Sequence, residues 1–209
     1  MDDVSGSAGR SGLLHPAIAA HADKVPWPYA VKLIRRSGFR EAVLRYCTTM
    51  VQPPAMKWPA DKFFGQKLRY LVSFALIGLD ARWRKGKGEA PILAALQRDA
   101  PASARQIAAL INALKLGNYI VESTLPEDRR AIRLSPSLLL LQEIGRSPLA
   151  FLAASERLDP PSLALVEPLS GNAFWIGDWL GASYDRFLQE DLYFAPFSNV
   201  VEFAEQDCG

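Results

Sequence analysis

Four residues along one short segment, Arg105, Gln106, Ala109 and Asn112, are of the types that read a base edge. Arginine offers a planar fork of donors. Asparagine and glutamine offer a donor beside an acceptor, so all three make bidentate contacts in a DNA major groove. No acid interrupts this face. A second cationic group, Arg129, Arg130 and Arg133, follows the turn-forming Pro126-Glu127-Asp128. Exposed arginines beside a reading helix suit phosphates or a narrow minor groove. A third group lies in Arg82-Trp83-Arg84-Lys85-Gly86-Lys87-Gly88, where Arg84, Lys85 and Lys87 suit the DNA backbone. Each group also has a plainer explanation. The polar face is then a solvated one, the wing arginines pair with Glu127 and Asp128, and the basic loop is a soluble connector. Exposed ion pairs of that kind contribute only ~0–1 kcal/mol.

These side chains need elements to hold them. Ser103 is a helix N-cap type, and Pro101 discourages helix before it. Ile107, Leu110, Ile111 and Leu114 recur at i, i+3, i+4 and i+7, which predicts one apolar stripe on a helix ended by Gly117. Ser103 is expected to touch the DNA backbone at the start of that helix. Pro91 suits a first turn, so residues 92–98 form a shorter helix, and residues 99–102 the turn between the two. Residues 119–125 are rich in β-branched and aromatic types and predict a strand that returns over 131–134. Upstream, Leu68, Leu71, Val72, Ala75 and Leu79 predict a helix running to about Asp80, started by Pro59 and Asp61.

The run Ser103, Ile107, Leu114, Gly117-Asn118-Tyr119-Ile120, Glu127-Asp128-Arg129-Arg130 and Ile132-Arg133-Leu134-Ser135 resembles the DNA-binding core of the MarR-type transcriptional regulators. In that family the recognition helix closes on a Leu and then a Gly. The wing carries an Asp-x-Arg element, and a Leu-Thr pair starts the next helix. Asp128-Arg129-Arg130 and Leu134-Ser135 fill those places, over roughly residues 65–140. Asn118-Tyr119 stands where the family has an apolar residue, and Ser135-Pro136 replaces the Thr. The chain is also longer than a typical member at both ends. The resemblance implies a dimeric, sequence-specific DNA-binding regulator whose N-terminal helix helps build the dimer.

Composition bounds the alternatives. The chain has 209 residues, is 49% hydrophobic and carries a net charge of +2. Residues 167–209 hold eight acids and one base, which leaves 23 bases and 14 acids in residues 1–166. Such asymmetry points to a basic working part and an acidic remainder. No apolar run approaches the ~20 residues of a membrane span. The start lacks the basic and apolar regions of a signal peptide, so a cytoplasmic location is expected. His15, His21, Cys47 and Cys208 have no metal-ligand spacing. No phosphate loop, zincin motif or nucleophile elbow is present, so neither an enzyme nor a cofactor is expected.

The expected fold is mainly α with a small β wing: a winged helix-turn-helix core with extra N- and C-terminal helices. Residues 1–25 form a disordered or extended arm, 26–56 a helical segment interrupted near Gly38, 57–145 the core, and 146–209 an acidic, aromatic helical segment. In that last part Trp175, Trp179 and Leu180 share one helical face, and Tyr184, Phe187 and Leu188 another. They serve a dimer contact, an effector pocket, or completion of the core. A helix from Pro136 is expected to break near Gly145 or Pro148 and to stop at Asp159-Pro160-Pro161. The expected partners are double-stranded DNA and a second copy, with room for a small-molecule effector and no membrane. The alternatives are a winged-helix protein-interaction module without DNA binding, or a replication-initiator-like DNA-binding protein.

Overall fold

The computed structural model describes residues 27–52, 64–100, 102–156, 158 and 165–190. The expected arm over 1–25, the helix-starting Pro59 and Asp61, the stop at 159–161, and the aromatics from Tyr193 onward lie outside them. The elements in order are α1 (Trp27–Ile34), α2 (Phe39–Val51), α3 (Lys67–Arg84), α4 (Leu93–Asp99) and α5 (Ala104–Leu116). A hairpin of β1 (Ile120–Thr124) and β2 (Ile132–Pro136) follows, then α6 (Leu138–Ser155), α7 (Val166–Ser170) and α8 (Ala173–Glu190). The protein is mainly helical with one two-stranded antiparallel sheet, paired from Ile120 opposite Pro136 to Thr124 opposite Ile132.

Helix α3 is the axle. Every residue from Leu71 to Ala81 is buried, so the helix has no solvent face along that length. A helix that is apolar all round must be surrounded, and α4, β2, α6 and α8 pack against it. The periodicity predicts one stripe ending near Asp80. The helix instead runs to Arg84 and takes Arg82, Trp83 and Arg84 out of the expected loop. Only Ser73 and Asp80 are polar among its buried residues.

Helix α8 lies antiparallel along α3, and small residues set the approach. A Cβ on Gly181 would stand 2.3 Å from Ala81 Cβ, and one on Gly78 would enter the Tyr184 ring. Ile176, Leu180 and Tyr184 are the buried stripe of α8. The expected face differs: Trp175 is half-exposed and points away from the core. Ile176 sits one position along and shares a face with Leu180 and Tyr184 at i, i+4 and i+8. Helix α8 thus completes one core with α3, α5 and α6. The expected boundary at residue 145 falls inside α6, which continues unbroken through Gly145 and Pro148. Leu140, Leu141 and Ile144 before the proline and Ala150 and Ala154 after it are all buried, so packing holds the helix across the missing donor.

Helices α1 and α2 meet at Gly38, whose φ of 81° favours glycine. Helix α2 packs on α6 through Ala42 and Tyr46, and the Tyr46 hydroxyl lies 2.8 Å from Ser147 Oγ. Arg146 donates from Nη2 to the carbonyls of Met50 and Gln52, which satisfies the C-terminus of α2. No described helix is long and apolar enough to cross a membrane.

Candidate nucleic-acid interface

The local sequence explains how α5 is held. Ile107, Leu110, Ile111 and Leu114 are buried in the core, as their spacing predicts. Arg105, Gln106, Ala109 and Asn112 lie on the other side, and all four are exposed. Ser103 caps the helix in a reciprocal box: Gln106 N donates to Ser103 Oγ at 3.3 Å, and Ser103 N donates to Gln106 Oε1 at 3.1 Å. The Ser103 hydroxyl also donates to Gln106 Oε1 at 2.8 Å. Both groups expected to face DNA are therefore committed in part. Ser103 has no proton left to give a phosphate, and Gln106 keeps only its amide NH2 for an outside partner.

The far end of α5 is a Schellman closure. Tyr119 N donates to Leu114 O at 2.8 Å and Asn118 N to Lys115 O at 3.0 Å. The left-handed residue is Asn118, with φ 59°, whereas Gly117 has φ −84°. Gly117 is required for space: a Cβ there would lie 2.6 Å from the buried Tyr119 ring. Lys115 Nζ reaches Glu122 Oε1 at 2.6 Å and ties the last turn of α5 to β1.

At the hairpin tip, Arg129 and Arg130 are both exposed. Asp128 Oδ1 accepts from the backbone N of Arg130 at 2.9 Å, so this carboxylate stabilises the turn. Among the described residues, neither guanidinium is ion-paired to Glu127 or Asp128. Arg105 and Lys87 are likewise exposed without an ion-pair partner among the described residues.

Two of the expected DNA-facing cations are engaged inside the protein. Arg133 Nη2 lies 2.8 Å from Asp80 Oδ1, and its guanidinium stacks 4.0 Å over the Trp83 ring. Arg84 Nε lies 2.9 Å from Asp80 Oδ2, and its Nη1 lies 2.8 Å from Asp178 Oδ1. Arg84 also covers the Phe174 ring at 4.9 Å. Lys85 is shared, with Nζ 3.2 Å from Asp178 Oδ2. Arg84 and Arg133 are mostly buried, and their guanidinium groups are held by carboxylates within the protein. The cause is Asp80, an acid buried in α3 that must be paired by the cations around it. The clue to it in the sequence is an acid inside an apolar helix, four residues before an arginine. Beside this network a cleft of about 250 Å³ is lined by Asp80, Arg84, Arg133, Phe174 and Gly177. Among the described residues, no cluster of His, Cys, Asp or Glu is arranged to hold a metal ion.

No protein-family model, curated protein or solved structure matches the chain.

Proposed function

We propose that the protein is a dimeric, sequence-specific DNA-binding transcriptional regulator built on a winged helix-turn-helix, similar to the MarR type. The observation that carries this reading is the pairing of two outward-facing surfaces. One is the acid-free face of α5 with Arg105, Ala109 and Asn112. The other is the hairpin tip with Arg129 and Arg130 outside any ion pair among the described residues. The order α3, α4, α5, β1, β2 is that of a winged helix. Leu134 N also donates to Pro91 O at 2.8 Å, so the segment before α4 lies beside β2 as a short third strand would. In this reading α5 enters the major groove, the tip arginines meet phosphates or the minor groove, and Lys87 adds a backbone contact. Arg84 and Arg133 set the position of the hairpin and do not touch DNA.

The dimer has its own support. Helix α2 packs chiefly on α6, and α1 and α2 leave Ile34, Val43, Leu44 and Val51 exposed. A second copy would cover such a face. Selection of bound duplexes from random sequence, followed by gel shifts at low and moderate salt, tests the reading. A shared motif that binds more tightly than random duplex is expected, and no duplex bound even at low salt would overturn it.

One observation favours a protein-interaction module as the second reading. Leu116 at the end of α5, Val121 in β1 and Ile132 in β2 are exposed apolar residues, with Leu116 at 88%. Apolar side chains there suit a protein surface better than a phosphate backbone.

A further inference from the structure

The cleft beside the Asp80 network opens between four elements, α3, β2, α6 and α8. Its charged lining residues are Asp80, Arg84 and Arg133, and its larger apolar ones are Ile77, Leu141 and Phe174. Asp80 has no free oxygen for a ligand. It is buried, and Arg133 Nη2 and Arg84 Nε each hold one of its two oxygens. The cleft therefore meets the outer edges of two guanidinium groups.

Those edges carry unused donors. Arg133 gives Nη2 to Asp80, and its Nε is sealed from solvent without a partner. Its Nη1 is left, with no hydrogen bond to a described residue. Arg84 gives Nε to Asp80 and sets Nη1 against Asp178, which leaves Nη2. Gly177 keeps the space beside that Nη2 open: a Cβ there would stand 3.2 Å from Nη2 and 3.6 Å from Leu141 Cδ1. Ser135 follows Arg133 at i+2, on the same face of β2. It too lines the cleft, with a hydroxyl that bonds no described residue.

The charge does not balance either. Arg84, Lys85 and Arg133 share the two carboxylates of Asp80 and Asp178. The nearby Asp185 is held by Arg82. One positive charge is left over, in a site where mostly buried cations need a counter-charge.

These features select a ligand. One surplus charge fits a monoanion, and a dianion would overshoot it. Guanidinium groups hold a carboxylate through paired N–H···O bonds. Apart from these groups and Ser135 the walls are apolar, so the rest of the ligand is hydrocarbon. A water fills ~30 Å³ of liquid, so a cleft of about 250 Å³ takes roughly eight to ten non-hydrogen atoms.

We propose that this cleft binds a small organic monocarboxylate. Its carboxylate lies on Arg84 Nη2 and Arg133 Nη1, and its hydrocarbon body lies against Ile77, Leu141 and Phe174. The site does not depend on the DNA reading, since none of its residues belongs to α5 or to the hairpin tip. An occupant bridges α3, β2 and α8 and ties the hairpin more tightly to the helical core.

Isothermal titration calorimetry on the full chain tests this, with cyclohexanecarboxylate and hexanoate as the acids. One-to-one saturation by at least one of them is expected, with a Kd on the order of 0.1–1 mM. The matching carboxamides have the same shape without the charge and should bind at least ~10-fold more weakly. Arg133→Gln removes one cation and should weaken acid binding by a similar factor. Gly177→Ala sets a methyl group between Arg84 Nη2 and Leu141 and should weaken it about tenfold by crowding. Alanine suits a helix better than glycine, so this variant keeps its fold and decides the matter if Arg133→Gln loosens the hairpin. Saturation should also slow amide exchange in β2 and in the first turns of α8. No saturation by either acid up to about 10 mM would overturn the proposal. So would carboxamides that bind as tightly as the acids, unchanged binding in Gly177→Ala, or unchanged exchange in both β2 and α8.

Discussion

Asp80 and Arg133 meet at 2.8 Å across 53 positions of sequence, and this ion pair joins the central helix to strand β2 of the hairpin. The same carboxylate holds Arg84, which in turn reaches Asp178 on α8. One acid thus fixes the hairpin, α3 and α8 together. Asp80→Ala should leave two mostly buried guanidinium groups short of a partner, a destabilisation on the order of 3 kcal/mol. Thermal unfolding should then fall by roughly 6–12 °C for a chain of this size. Arg133→Ala should cost less, because Arg84 remains on the carboxylate. Melting of Asp80→Ala within about 2 °C of the parent would show that the network is not structural.

Alkaline unfolding reports the packing of α8. Burial pushes the Tyr184 phenol above its usual 10.0, with Asp99 and Asp185 adding to the rise and Arg82 opposing it. Burial also raises Tyr119, helped by Glu143. The folded state holds these protons more tightly than the unfolded chain. Their stability contribution is complete below pH 10 and is lost as pH rises through the raised folded values. Tyr184→Phe should therefore flatten the fall of the urea midpoint above about pH 10. An alkaline limb as steep as the parent's would place Tyr184 outside the titration.

Local signals carry the interface further than they carry the core. The 3.6-residue stripe of α5, the Ser103 cap and the turn at Asp128 depend on neighbours within a few positions, and all three are legible in the sequence. So is the hairpin, whose strands lie one turn apart along the chain. Helix α3 is only half legible, because its second buried face exists only when α8, roughly a hundred residues later, lies on it. An aromatic residue such as Trp175 is expected inside, yet Ile176 fits the close crossing set by Gly78 and Gly181. Arg84 and Arg133 look like DNA contacts because an arginine's partner is not written beside it: Arg133 finds Asp80 from another element.

Gln106 separates folding from recognition. A glutamate at this position still accepts from the Ser103 N and Oγ, and its charge suits the first turn of a helix. Gln106→Glu should keep stability within about 0.5 kcal/mol. It should weaken duplex binding on every sequence, since a carboxylate then faces the phosphates. Circular dichroism melts alongside gel shifts would show both effects. Parent-like duplex affinity in a folded Gln106→Glu protein would move the interface away from this turn of α5.

The hairpin tip offers the sharpest test. Arg129 and Arg130 are exposed, and Asp128 is occupied with the backbone of Arg130. Removing both guanidinium groups should leave the fold intact, because neither touches the core. If both meet phosphates, Arg129→Ala/Arg130→Ala weakens binding to all duplexes alike, since phosphates carry no base identity. The slope of log K against log salt should also shrink by ~0.9 for each phosphate that is no longer neutralised. A minor-groove role would look different, with the weakening concentrated on sites flanked by A·T-rich sequence. Binding measured between about 50 and 200 mM salt distinguishes these cases. An affinity and a salt slope both equal to the parent's would mean that the tip does not touch DNA, and α5 would have to carry recognition alone.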